Sequence, residues 1–224
     1  MEIQLNDRRI IYLSKKDKRL KTVIDAIGSI EAREHIDGYK FLVCEIVGQM
    51  LSNKVADTMI SRLNSLCEEN IALEKIRALS IDQLKLIGIS TAKAQYINAL
   101  TDAIIREPTF LDAISNLDDI EAVNRLKTIR GIGNWTAKMY LLFVLQRDDV
   151  LPYEDGAFRQ SYKWLYETED ISKESMINVC KKWSPYSSIA ARYMYRVLDA
   201  GYTKIPYKKF QENVTNETAE FIRL

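Results

Sequence analysis

The sequence predicts an all-α protein, and three observations carry that prediction. Glycine and proline are scarce, at 8 and 4 of 224 residues. The stretches between them repeat their hydrophobic residues at helical rather than alternating spacing. Most of those stretches open on Ser, Thr or Asp and several close on Gly or Pro, residues that start and stop helices. With 47% hydrophobic residues the chain can bury one substantial core or two modest lobes, which excludes a disordered protein.

Taken in order, "IQLNDRRIIYL" reads as weakly paired strand at the N-terminus. "DKRLKTVIDAIG" places Leu20, Val23, Ile24 and Ile27 on one stripe and stops at Gly28, the pattern of a short amphipathic helix. "YKFLVCEIVGQMLSNKVADTMISRLNSLCEEN" begins with an almost uninterrupted apolar turn, Phe41 to Val47, and becomes amphipathic after Ser52. A buried helix is therefore followed by a second one with Ser52 as its N-cap. "LEKIRAL", "SIDQLKLIGI", "STAKAQYINALTDAIIREP", "TFLDAISNL" and "DDIEAVNRLKTI" then read as short helices joined by tight links. From Leu151, "LPYEDGAFRQSYKWLYETED" crowds proline, acidic residues, glycine and aromatics together, the texture of a site-bearing loop. "SKESMINVCKKWSPYSSIAARYMYRVLDAGY" resumes as two helices broken near Pro185, and "TKIPYKKFQENVTNETAEFIRL" reads as a loosely docked tail.

Several classes drop out. No apolar run approaches a membrane span and the opening residues lack a signal peptide's apolar core, so a cytoplasmic location is expected, nucleoid-associated if the source is bacterial. Three scattered cysteines and a single histidine, His35, offer no metal-ligand cluster. Cys44 reads as a core thiol, Cys67 and Cys180 as incidental. The net charge of +1 does not announce a nucleic acid, so any basic face must be local.

One such place exists. "RLKTIRGIGNWTAKMYLLF" holds the only Gly-X-Gly, and from Arg125 to Arg147 the chain carries five basic residues (Arg125, Lys127, Arg130, Lys138, Arg147) and no acidic one. Gly131 and Gly133 can take positive φ and permit close backbone approach, while Ile132 pins the flanking helices. The turn would present backbone N–H groups at a helix start, where a phosphate is favoured. The dinucleotide fingerprint fails for want of a preceding strand and a third glycine, and the P-loop pattern for want of Gly-Lys-Ser/Thr. A bare helix reversal explains the glycines as well.

"LKTIRGIGNWTAKMYLLF" followed by "DVLPYEDGAFRQ" resembles the helix-hairpin-helix and catalytic-aspartate signature of the DNA base-excision glycosylase superfamily, and most closely its 3-methyladenine DNA glycosylase II branch. "DKRLKTVIDAIG", "FLVCEIVGQMLSNKVA", "GISTAKAQYI" and "KKWSPYSSIAARYMY" add to the likeness, which runs from about Asp17 to Tyr202. The resemblance implies a two-lobed all-helical fold with the active-site cleft between lobes and a short β extension at the N-terminus. One lobe would span 37–147 and end in the hairpin at about 125–143; the other would join 1–36 to 148–224. It also implies a structural monovalent cation held by main-chain carbonyls of Lys127, Ile129 and Ile132, with no other cofactor. The iron–sulfur branch ends in four close cysteines that this chain lacks, so no cluster is expected. About forty residues precede the first core helix, too few for the extra β-rich domain of larger relatives.

Cleaving an N-glycosidic bond builds positive charge on the sugar, so a carboxylate is needed near C1′. Asp155 matches the family's catalytic aspartate, with Glu154 and Asp149 as competitors; a plain helix cap is the alternative for any of them. Bifunctional relatives carry lysine where this chain has Trp135, which implies a monofunctional, water-using enzyme, with Lys138 one helical turn on meeting solvent or phosphate. An electron-rich indole attracts a cationic alkylated purine by about 0.5–2 kcal/mol. Tyr195 matches a second pocket aromatic, and Met139 stands where some relatives have tyrosine. Trp183, Tyr186 and Trp164 lie nearby in sequence, and core packing is favoured for Trp164 and Trp183. Base flipping leaves a gap to fill. Met50 matches the family's apolar wedge, against the alternative of an ordinary core methionine. Gln49 is placed to contact the opposite strand or the pocket, and Ser52 and Asn53 to cap and touch phosphate.

The expected function is excision of alkylated purines from double-stranded DNA by a monomer. The alternatives are a glycosylase for oxidised guanine or deaminated bases, and a non-catalytic hairpin module that only binds DNA.

Overall fold

The computed structural model describes residues 2–31 and 36–222, with side chains as far as residue 216. His35 lies outside the described residues. The chain forms two compact units: a central one, His35–Leu145, and a terminal one that joins Met1–Glu34 to Gln146–Leu224.

In the terminal unit β1 (Glu2–Ile3) pairs antiparallel with β2 (Ile30–Glu31), Ile3 opposite Ile30. The strand expected over "IQLNDRRIIYL" stops there, because Arg8–Lys16 is helical (α1). The reason is local: the Asp7 side chain caps α1 by accepting from the Arg9 N–H at 2.8 Å, and Ile10 and Leu13, three residues apart, bury one helix face. α2 (Lys18–Ile27) follows at once, turned by Asp17, whose N–H closes α1 onto Leu13 O and whose Oδ1 accepts from the N–H groups of Arg19 and Leu20.

The central unit contains α3 (Gly38–Gly48), α4 (Asn53–Leu66), α5 (Leu73–Arg77), α6 (Ile81–Leu86), α7 (Thr91–Arg106), α8 (Phe110–Ser115), α9 (Asp119–Leu126) and α10 (Asn134–Met139), which continues as a π-helical turn over Tyr140–Val144. Capping boxes at Ser80 and Asp118 and single caps at Asp37 and Ser90 start four of these helices. α3 buries Leu42, Val43, Ile46 and Val47, and α7 buries Ala94, Ile97, Leu100 and Ile104. Tyr39 of α3 and Thr101 of α7 hydrogen-bond inside this core at 2.8 Å.

α11 (Gly156–Tyr166), α12 (Lys173–Cys180), α13 (Ser187–Asp199) and α14 (Tyr207–Ile222) complete the terminal unit. Ser161 of α11 donates to Met194 O of α13 at 2.8 Å, and Tyr193 of α13 donates to Gly28 O at 2.9 Å. Trp183 is fully buried, edge-on to Phe158. Its indole N–H donates to Asp17 Oδ2 at 2.9 Å, where Tyr166 Oη and Lys182 Nζ also arrive. Trp164 packs against Tyr207 and Phe210 with ring centroids 5.3 and 5.1 Å away, so it too is a packing residue. These contacts correct the expectation of a loosely docked tail: α14 buries Tyr207 and Phe210, an i, i+3 pair that polar neighbours hid in the sequence. The cysteines are likewise redistributed, since Cys67 and Cys180 are buried and Cys44 only partly so.

Candidate active site

The hairpin lies wholly in the central unit. α9 ends at Leu126, and the Thr128 and Ile129 N–H groups close its last turn onto Arg125 O and Leu126 O. Gly131 then takes φ +97°, a region costly for any residue with a side chain. A Cβ there would also stand 2.3 Å from Cγ and 2.4 Å from Cβ of Tyr96 on α7. Gly133 differs from the expectation: its φ of −99° is open to all residues, and a Cβ there would meet nothing within 4 Å. What glycine supplies at 133 is absence. As N-cap of α10 it offers no side chain to accept from the first-turn N–H groups. Ile132, buried, pins the turn as expected.

The central unit holds a second hairpin of the same design, from α6 to α7. Gly88 has φ +101°, Ile89 is buried, and Ser90 caps the next helix by accepting from the Lys93 N–H at 3.4 Å. Side by side, one hairpin caps its helix internally and the other leaves the cap position bare. "IGIS" and "RGIG" carried that repeat in the sequence.

On α10, Trp135 and Met139 are four residues apart and share a face, Trp135 half-buried and Met139 buried. Lys138, three residues past Trp135, is half-buried. Thr136, buried on the neighbouring face, meets the Gln49 amide, which reaches Thr136 Oγ1 at 3.4 Å and Gly131 O at 2.9 Å. Gln49 itself sits in a tight turn. Leu51 N–H donates to Gly48 O at 3.1 Å, Gln49 has φ −50° and ψ 131°, and Met50 has φ +57°. These are the features of a type II turn with methionine where glycine is preferred. The Met50 side chain is 102% exposed, which excludes the core-methionine reading. Leu51 and Val55 are exposed beside it in sequence. Ser52 is the N-cap of α4 in backbone terms, but its hydroxyl makes no capping bond, and Asn53 is exposed.

The basic strip is only partly available. Arg125 pairs with Glu107 at 2.5 Å and lies 4.7 Å over the Phe110 ring, while Lys127 and Arg130 are exposed.

In the terminal unit Asp155 caps α11, its Oδ1 accepting from the Phe158 N–H at 2.8 Å, and it is 9% exposed. The cap alternative is therefore correct as structure, and the cap bond fixes the orientation of the carboxylate. Asp149 is committed elsewhere: Oδ1 accepts from Ser187 and Oδ2 from Ser184, closing the start of α13. Glu154 is half-buried, and Tyr195 lies half-buried on α13.

The family described as HhH-GPD superfamily base excision DNA repair protein matches residues 43–185, a span that takes in both the hairpin and Asp155. The chain belongs to this family. It is 29% identical over 203 residues to DNA-3-methyladenine glycosylase 1 of Schizosaccharomyces pombe, covering 87% of this chain and 89% of that one. The structure of the Schizosaccharomyces pombe 3-methyladenine DNA glycosylase in complex with abasic DNA is similar with TM-score 0.76 and 25% identity, over 85% of this chain and 96% of that one. A DNA-3-methyladenine glycosidase from Bacillus halodurans is similar with TM-score 0.74 and 25% identity, over 88% and 92%. The all-helical fold is thus that of the helix-hairpin-helix glycosylases.

Within this family member the central unit gathers Gln49, Met50, Ser52, Asn53, Gly131, Gly133, Trp135, Lys138 and Met139; the terminal unit holds Asp155 and Tyr195. Sequence reasoning missed Tyr96, which backs Gly131, and Thr136, which meets Gln49. The Gly-to-Tyr packing had no local signal, since Tyr96 lies on α7 and Gly131 in the turn after α9, far apart in the chain. Among the described residues no helix is long and apolar enough to cross a membrane, and no group of three or more His, Cys, Asp or Glu could hold a metal ion.

Proposed function

We propose that the protein is a monofunctional DNA glycosylase of base excision repair that hydrolyses the N-glycosidic bond of alkylated purines in double-stranded DNA. The observation that carries this reading is the hairpin turn: Gly133, the N-cap of α10, brings no capping side chain and has open space where a Cβ would stand, and Lys127 and Arg130 of the same turn are exposed. A DNA phosphate fills that role, favoured by the donors and by the helix dipole. Carbonyls of Lys127, Ile129 and Ile132 follow the end of α9, and Ile129 O keeps a second lone pair beyond the one that accepts from the Ile132 N–H. That neutral, all-carbonyl donor set suits a monovalent cation, which would brace the turn.

The chemistry rests on Asp155. The C1′–N bond breaks with its electron pair leaving on the damaged base, and positive charge grows on the sugar. The carboxylate stabilises that charge and takes a proton from the water whose oxygen bonds to C1′. A base already cationic from alkylation leaves without an acid, and the Trp135 indole suits such a ring. With Trp135 at the lysine position of bifunctional relatives, no Schiff base forms.

Duplexes carrying methylated purines, hypoxanthine or 8-oxoguanine, incubated with the protein and then treated with alkali, test the reading. Release of methylated purines first and fastest is expected, with Asp155→Asn losing about 100-fold or more in rate. Silence on every lesion at high enzyme refutes the glycosylase, and undiminished release by Asp155→Asn refutes that residue's role. Borohydride should trap no adduct on abasic DNA; an adduct that vanishes in Lys138→Ala overturns the monofunctional assignment.

A further inference from the structure

Met50 is placed at a double cost to the fold. Its backbone occupies the left-handed region, and its apolar side chain lies entirely in solvent. A turn of this kind relaxes unless something holds it, and the holding contact is visible. Gln49, the first central residue of the turn, extends its side chain into the hairpin, where the amide nitrogen lies 2.9 Å from Gly131 O and 3.4 Å from Thr136 Oγ1. The orientation of the amide follows from chemistry, since a main-chain carbonyl can only accept and only the NH₂ end can donate to it. Both anchors are rigid: Gly131 is seated against Tyr96 of α7, and Thr136 is buried on α10. The other side of the turn is also fixed, because Lys93 Nζ of α7 donates to Val47 O at the end of α3, 2.8 Å away.

We infer that Gln49 is a positioning residue that fastens the Met50 turn to the phosphate-gripping hairpin, so that wedge and grip advance on the duplex as one rigid piece. The inference rests on the glycosylase reading and on Met50 as the inserted side chain. It gives Gln49 a task other than reading the opposite strand: its donor end faces the hairpin backbone. It also explains why a strained methionine persists where glycine would suit the turn. The carbonyl of Gly131 and the N–H groups beyond Gly133 belong to one turn, so a phosphate on the one side and Gln49 on the other share the same short stretch of backbone.

The test uses the full-length protein and a duplex with an abasic-site analogue next to 2-aminopurine, whose fluorescence rises when its stacking is broken. Wild type is expected to raise the signal. Gln49→Ala, Gln49→Glu and Met50→Ala should each lose most of it and slow single-turnover base release by about 10- to 100-fold. Gln49→Glu matters because it keeps size and acceptors but removes the donor. The salt dependence of binding to an undamaged duplex should keep its slope in all three variants, because none of them removes a phosphate contact. The double variant Gln49→Ala/Met50→Ala should be no slower than Met50→Ala alone. Additive losses in the double variant, or a Gln49→Glu protein with normal signal and rate, overturn the inference by making Gln49 an independent contact or an idle one. If wild type itself breaks no stacking and releases no base, the glycosylase reading has failed instead.

Discussion

The two glycines of the hairpin should respond oppositely to the same substitution. At Gly131 an alanine meets two separate penalties. The backbone is held at φ +97°, which costs a residue with a side chain about 1–3 kcal/mol. The new methyl would lie 2.4 Å from Cβ of Tyr96, an atom rooted in α7 that no rotamer change can move. Overpacking of that kind adds about 1–3 kcal/mol, and the sum of about 2–6 kcal/mol is a large share of a stability of about 5–15 kcal/mol. Gly133→Ala has φ −99° and open space, so its cost is that of a poorer N-cap, about 1 kcal/mol or less. Its methyl, however, enters the open space at the N-cap of α10, beside which the proposed phosphate would bind. Urea unfolding and fluorescence anisotropy on an undamaged duplex separate the effects: Gly131→Ala should lower the unfolding midpoint strongly, whereas Gly133→Ala should fold almost normally and bind DNA at least about tenfold more weakly. A Gly131→Ala protein within about 1 kcal/mol of wild type, or a Gly133→Ala protein that binds DNA normally, refutes the reasoning about that glycine.

Two further predictions concern the terminal unit. Asp17 is 3% exposed; burial alone would raise its carboxyl, but hydrogen bonds from Tyr166 and Trp183 and the charge of Lys182 outweigh that and hold it below the usual carboxylate range. A folded-state pKa below the unfolded one stabilises the fold above the unfolded value and loses that contribution as pH falls through the folded one, so wild type should weaken below about pH 4. Asp17→Ala takes the acceptor from the Trp183 indole N–H and the Tyr166 hydroxyl and should cost about 1–3 kcal/mol for each at neutral pH, while Asp17→Asn should flatten the acid limb of an unfolding titration; an unchanged limb counts against the assignment. Phe210→Ala removes a ring buried between Trp164 and Tyr207. It should cost about 3–5 kcal/mol and redden Trp164 emission, and a thermal midpoint equal to wild type would return α14 to the status of a loose tail.

The helices were legible because their causes are local. Asp37, Ser80, Ser90, Asp118 and Ser172 are all caps, and each stands within a few residues of the stripe it starts. Trp183 as a core anchor was legible for the same kind of reason, since a large aromatic among apolar helix positions has few other places to go. The N-terminal strand and the C-terminal tail were misread where short-range composition outweighed a sparse i, i+3 pair, Ile10 with Leu13 and Tyr207 with Phe210. Asp17 gave no signal, because its five donors come from both ends of the chain.

What the sequence determined by itself was the element list and the candidate chemistry: a glycine hairpin among basic residues, an aspartate at the head of the following helix, and tryptophan in place of lysine. Tertiary structure decided how those residues are used. It made Gly131 a steric necessity and Gly133 an opening, committed Asp149 to a helix cap, turned Arg125 toward Glu107, and left Met50 in solvent with Gln49 tied to the hairpin behind it. Periodicity reports which face of a helix is buried, but a turn's φ, a side chain's reach and a partner eighty residues away are properties of the packed chain, and only the fold sets them.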